Sequence, residues 1–186
     1  AGPFISDFSS WGPTPSLQIK PEITAHGGNI LSSVPNGGYD ELSGTSMATP
    51  NLCGIVVLLR QYLKEKYPSY TWPEINDLAN QLLMSTATII YNEEGKPYSP
   101  RKQGAGLASM ANVVNSKAYI TVDGTNRTKL ELGDDKERTG VYKMSFTVNN
   151  MSPNKVDYRL NFIGMTESVS SSDNTFVAET PTMLNS

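Results

Sequence analysis

From residue 46 the chain reads Ser-Met-Ala-Thr-Pro-Asn-Leu-Cys-Gly-Ile-Val-Val-Leu-Leu, and Met47, Ala48, Leu52, Cys53, Ile55, Val56, Leu58 and Leu59 lie nearly all round a helix. A helix without a polar face is a buried helix, so the fold must cover it on every side. Polarity returns at Arg60, Lys64, Glu65 and Lys66, the end expected to emerge at the surface. Pro50 is expected in or near the first turn, where a missing N–H costs least. Within this segment Cys53 is expected to pack as a small, inert hydrophobe.

Composition narrows the chemistry. Cys53 is the only cysteine and His26 the only histidine, which excludes an intrachain disulfide, a multi-cysteine zinc site and a histidine-pair metal site. With 15 Lys+Arg against 18 Asp+Glu and a net charge of -3, there is no basic footprint for nucleic acid. No apolar run approaches the ~18 residues of a membrane span, Ile55–Leu59 being the longest. The first residues lack the charged and apolar regions of a signal peptide. A length of 186 residues suits one domain, or one and part of another.

The grammar changes along the chain. Residues 1–44 are rich in Gly, Pro, Ser and Asn, with turn signals at Gly12-Pro13, Gly27-Gly28 and Pro35-Asn36-Gly37-Gly38 and short extended pieces near Ile23–Thr24 and Asn29–Ser32. Thr71-Trp72-Pro73-Glu74 is a capping box, followed at helical spacing by Ile75, Leu78, Ala79, Leu82 and Leu83. Residues 92–101 form a polar excursion with a turn at Glu94-Gly95, and Gln103-Gly104-Ala105-Gly106-Leu107 leads into a short helix ending near Ser116. Beyond Tyr119 the pattern turns to strands, expected at 119–122, 129–132, 141–148 and 157–162, with the tail after Ser168 as edge strand or loop. The natural boundary falls near Ala118, between an α/β piece and a β-sandwich-like module.

The stretch Leu42-Ser43-Gly44-Thr45-Ser46-Met47-Ala48-Thr49-Pro50 carries the chemistry. Gly44 permits backbone conformations closed to other residues. Ser46 follows at the start of the apolar helix, where unpaired N–H groups and the positive dipole end favour developing negative charge. A hydroxyl there suits acyl transfer through an oxyanion. By position alone, the commoner reading is that Ser46 or Thr45 simply caps the helix.

Gly44-Thr45-Ser46-Met47-Ala48-Thr49-Pro50 resembles the nucleophile motif of the subtilisin-like serine proteases, with Thr49 at its variable position. Phe8-Ser9-Ser10-Trp11-Gly12-Pro13, Lys20-Pro21-Glu22-Ile23-Thr24-Ala25-His26-Gly27-Gly28 and Gly104-Ala105-Gly106-Leu107 are similar, in the same order, to further stretches of that family. The resemblance implies an α/β fold: over residues 1–118 the C-terminal part of a subtilisin-like parallel-sheet domain. Residues 119–186 resemble an incomplete fibronectin-III-like antiparallel β-sandwich, carried by Leu130-Glu131-Leu132-Gly133 and Tyr142–Asn150. A complete sandwich takes about 100 residues, so an unpaired edge is expected.

The same resemblance implies a serine endopeptidase acting on proteins or peptides, with Ser46 as nucleophile, Thr45 supporting the oxyanion site and Met47 flanking the leaving group. The family's catalytic Asp, His and oxyanion Asn precede these motifs, so the 186 residues alone are expected to be inactive. His26 stands where the family pattern has proline and is not expected to be the base; Asp7 likewise lies outside the catalytic Asp motif. Secretion or a bacterial cell-envelope location is implied. No cofactor is expected, although calcium is possible in the full-length protein.

A second reading, a non-catalytic binding or scaffold protein retaining half of such a fold, is disfavoured because a scaffold has no need of the motif serine. The acidic pairs Asp40-Glu41, Glu93-Glu94 and Asp134-Asp135 read as solvated turns. Asn126-Arg127-Thr128 and Asn150-Met151-Ser152 fit a glycosylation pattern that matters only in a eukaryotic secretory setting. Trp11 and Trp72 are expected to be core or loop-anchoring aromatics.

Overall fold

The structure, a computed structural model, describes residues 4–132, 135–169, 172 and 176–184. Strands β1 (Ile30–Val34) and β2 (Gly38–Leu42) form an antiparallel hairpin; helices α1 (Thr45–Lys66), α2 (Trp72–Ser85), α3 (Pro100–Gln103) and α4 (Met110–Asn115) follow. Strands β3 (Ala118–Val122) and β4 (Phe146–Asn150) pair antiparallel, as do β5 (Phe162–Val169) and β6 (Phe176–Leu184).

α2 begins as its sequence dictates. The Thr71 hydroxyl accepts the Glu74 N–H while the Glu74 carboxylate takes the Thr71 N–H at 2.7 Å, which closes the capping box. Its apolar side then meets α1. Leu59 and Leu63, 0% and 1% exposed, interlock with Ile75, Leu78, Leu82 and Leu83, and Val113 of α4 completes the cluster.

α1 is where expectation and structure part. It is covered on one side only: Leu52, Ile55, Val56, Leu59 and Leu63 face the cluster at helical spacing. Val57 and Leu58 on the opposite side are 62% and 59% exposed, and Cys53 is exposed rather than buried. Cys53 sits one turn before Val57, so it shares the uncovered face. Pro50 is the sixth helical residue, beyond the first turn, and brings no N–H to the Ser46 carbonyl.

Parallel pairing is confined to one place among the described residues. Thr24 bridges Leu107 in parallel and Leu107 bridges Thr88 antiparallel, through Thr24 N–H to the Gly106 carbonyl (2.8 Å) and reciprocal bonds between Thr88 and Leu107. Gly106 makes this possible: its φ is +121°, and a Cβ there would lie 2.4 Å from the Thr88 carbonyl oxygen. Beside it, the buried Gln103 side chain accepts the Ile90 N–H at 2.7 Å and donates to the Ile90 and Tyr98 carbonyls, so its amide is satisfied.

The β segments also differ from their sequence pattern. Of 141–148 only the part from Phe146 is strand, because β3 offers just five residues to pair with it. Residues 129–132 and 157–161 are not strands, and of the tail after Ser168 the described residues 176–184 form β6, paired antiparallel with β5. Segment 126–129 is drawn away by side chains. Gln81 donates to Asn126 and Asn126 to Asp77 (2.6 Å), while Lys129 reaches the Ile19 carbonyl (2.9 Å), Glu131 (2.8 Å) and Glu22 (3.5 Å). β3 itself is held on α2 by the Ile120 N–H to Ser85 Oγ bond of 2.9 Å.

Partial burial pushes the Glu22 carboxyl up, but Lys20 and Lys129 outweigh it and hold its pKa below the ordinary value. A carboxylate depressed in the folded state stabilises it above the unfolded pKa of about 4.3, and that contribution is lost as pH falls through the lower folded pKa. Lys129→Met is therefore expected to flatten the acid limb of a stability–pH curve below about pH 4; an unchanged limb would show that the pair contributes nothing. The uncovered side of α1 yields a second expectation: the isolated 186-residue chain binds a hydrophobic dye in its native state. A cooperative melt with no dye signal would contradict it.

Candidate functional site

The hairpin β1–β2 delivers the chain to α1. Its turn uses Asn36 and Gly37, both at positive φ (71° and 81°), the conformations that an Asn-Gly pair supplies most cheaply. Register pairs Ile30 with Leu42 and Ser32 with Asp40, so these four share one face, and Leu31 and Tyr39 turn outward. The base of the hairpin is closed by Ser43 Oγ, which accepts the Asn29 N–H at 2.8 Å and donates to the Asn29 side-chain oxygen at 3.1 Å.

Gly44 is the N-cap of α1, with φ 159° and ψ 166°, and its N–H donates to the Gly27 carbonyl at 2.8 Å. Space around Gly44 is open, its nearest neighbours 3.7 Å from a would-be Cβ. The crowding falls on Gly27, where a Cβ would lie 2.6 Å from the Gly44 oxygen and 2.9 Å from Ala48 Cβ. The bare backbone at Gly27 is what lets that loop lie against the start of α1.

Thr45, Ser46 and Met47 are the first three residues of α1; Thr45 and Ser46 are exposed and Met47 is half-buried. Met47 N–H and Ala48 N–H turn back to the Gly44 carbonyl, whereas those of Thr45 and Ser46 have no acceptor among the described residues. Neither hydroxyl caps the helix: α1 has no side-chain cap, and the Ser46 hydroxyl has no hydrogen-bond partner among the described residues. The other three helices each have an N-cap hydroxyl (Thr71, Ser99 or Ser109) that accepts a first-turn N–H. Free N–H groups at a helix start attract negative charge, and no acidic side chain occupies the first turn of α1.

Two cavities flank this helix start. One of about 280 Å³ lies beneath the hairpin, where Ser46, Met47 and Pro50 face Ile30, Asp40 and Leu42. The other, about 210 Å³, lies across Gly27 and brings Thr45 and Ala48 beside Phe4, Phe8, His26 and Leu107. His26 therefore shares a cavity with Thr45 and not with Ser46. The sequence reading missed β2 and its Asp40 wall, since Gly-Tyr-Asp-Glu-Leu is polar and exposed; the Asn36-Gly37 turn was the available signal. It also missed the contact made by Gly27.

Among the described residues no group of three or more metal-ligating side chains assembles. Asp40 and Glu41 alternate across β2, Glu94 pairs with Lys96 at 2.8 Å, and Asp135 accepts the Gly140 N–H of its own loop; Asp134 lies outside the described residues. Trp11 and Trp72 are half-exposed cation platforms rather than core: Lys102 lies 3.7 Å over Trp11, and Arg60 5.2 Å over Trp72.

The subtilase family model matches residues 3–106, more than half of the chain, and the protein belongs to that family. The C5a peptidase of Streptococcus pyogenes is 41% identical over 153 residues, and the PII-type proteinase of Lactococcus lactis subsp. cremoris is 36% identical over 168. These matches cover 82% and 84% of this chain but only 13% and 9% of those proteins' length. Among solved structures, the prenylagaramide maturation protease PagA matches with 32% identity and a TM-score of 0.45, over 59% of this chain and 36% of that one. The fold described, a mixture of helices and small antiparallel sheets, is consistent with part of a subtilase domain. No described helix is long and apolar enough to cross a membrane.

Adding a methyl group at Gly27 should be costly. Gly27→Ala is expected to destabilise the fold by about 1–3 kcal/mol through overpacking against Gly44 and Ala48. Denaturant titration checks this; a variant as stable as the parent would mean that the loop moves aside freely.

Proposed function

We propose that the chain is the nucleophile-bearing part of a serine endopeptidase that hydrolyses protein or peptide substrates through an acyl-enzyme on Ser46. The observation that carries the reading is the start of α1: the motif serine lies inside the first turn with an unpartnered hydroxyl, next to N–H groups that no side chain caps. Ser46 Oγ attacks the scissile carbonyl as a histidine outside these residues takes its proton. The Ser46 N–H donates to the oxyanion, with an asparagine side chain from outside these residues as the second donor. Thr45 supports the oxyanion site, and Met47 flanks the leaving group.

His26 is not the base. It is the only histidine in 186 residues and faces the cavity on the other side of Gly27. The chain alone is therefore inactive, and the catalytic Asp, His and Asn come from upstream polypeptide. The reading also takes residues 1–118 as the C-terminal part of a parallel-sheet domain and 119–186 as an incomplete fibronectin-III-like sandwich. It places the protein outside the cell or at its surface. No cofactor takes part in this chemistry.

The test compares casein cleavage by the complete polypeptide containing this chain, its Ser46→Ala variant and the 186 residues alone. Ser46→Ala should lower kcat by about six orders of magnitude, the loss that removing the nucleophile causes in subtilisin. The short chain should show no cleavage. Full activity in Ser46→Ala would overturn the reading, and Ser46-dependent cleavage by the short chain would overturn the requirement for upstream residues.

A further inference from the structure

The two cavities beside Ser46 differ in charge. Of the described residues lining the one beneath the hairpin, Asp40 alone is charged. The cavity that holds His26 and Thr45 has no carboxylate among its described lining residues. Register places Asp40 on the same hairpin face as Ile30, Ser32 and Leu42, so its position in that wall follows from strand pairing. Its described partner is local: one carboxylate oxygen accepts the Glu41 N–H at 2.8 Å, and no described lysine or arginine pairs with it.

We infer that the cavity beneath the hairpin is a substrate subsite for one lysine or arginine side chain, selected by Asp40. The inference deepens the proposed function and rests on Ser46 being the nucleophile. About 280 Å³ accommodates one long side chain. Ile30, Leu42 and Met47 cover its aliphatic stem, and the Asp40 carboxylate meets the charged end. A glutamate in the same place would set two carboxylates against each other, whereas a lysine or arginine would give the exposed Asp40 carboxylate the ion-pair partner it lacks among the described residues. The cavity across Gly27 has no carboxylate among its described lining residues, so the preference ascribed to Asp40 is tied to the cavity beneath the hairpin.

The experiment uses the complete polypeptide and quenched-fluorescent peptides in which each position around the scissile bond carries Lys, Arg, Leu or Glu in turn. At one position, kcat/KM should favour Lys or Arg over Glu by about fivefold or more at low salt, and the ratio should shrink as salt is raised. Asp40→Asn should remove the preference, Asp40→Lys should reverse it towards Glu, and Asp40→Glu should keep it. An unchanged ratio in Asp40→Asn, or no charge preference at any position in the parent enzyme, overturns the inference. Ser46→Ala is assayed in parallel. If Ser46→Ala still cleaves, the proposed function itself falls; if it does not and Asp40→Asn keeps the ratio, only the subsite falls.

Discussion

One contact orders the rest of the structure: the Gly27 loop lying against the first turn of α1. The Gly44 N–H bond to the Gly27 carbonyl and the absence of a Cβ at Gly27 bring two distant pieces of chain to van der Waals distance. That approach orients the first turn, and the first turn orients Ser46. Downstream, α1 is held through Leu59 and Leu63 against α2, so the serine stands at the end of an element whose far half is anchored in the core. A reactive group on a rigid helix keeps its geometry better than one on a loop.

The same contact divides the space around Ser46. One cavity lies on each side, their linings differ in charge, and the only histidine falls in the cavity away from the serine hydroxyl. Family membership and this geometry are complementary: the family accounts for the serine, and the geometry accounts for what surrounds it. The matches span only 13% and 9% of the C5a peptidase and PII-type proteinase lengths.

How much the sequence disclosed depended on whether the determining interaction was local. The α2 capping box was legible because all its partners lie within four residues. The motif around Ser46 was legible as a family signature because it is a run of adjacent residues, and the family model that matches residues 3–106 spans it. One-sided coverage of α1 was not legible: apolarity states what a helix requires and not what the surrounding chain supplies, so Cys53 was expected buried and is exposed. The strands at 129–132 and 141–145 failed for a tertiary reason. Asn126 bonds to Asp77 of α2 and Lys129 to the Ile19 carbonyl of the N-terminal loop, and β3 is too short to pair with more. β2 was hidden by charge, because Asp40 and Glu41 disguise a hairpin strand as a polar turn.

The exposure of Cys53 gives the molecule a built-in reporter. It is the only thiol in the chain, and it lies seven residues beyond Ser46 on the same helix, a rise of about 10 Å. A fluorophore or spin label attached there rides on the uncovered face of α1, whose other residues include Val57. Any polypeptide that comes to rest on that face must change the label's mobility and its access to quencher. Assembly around the helix can thus be followed at one atom without introducing a new cysteine.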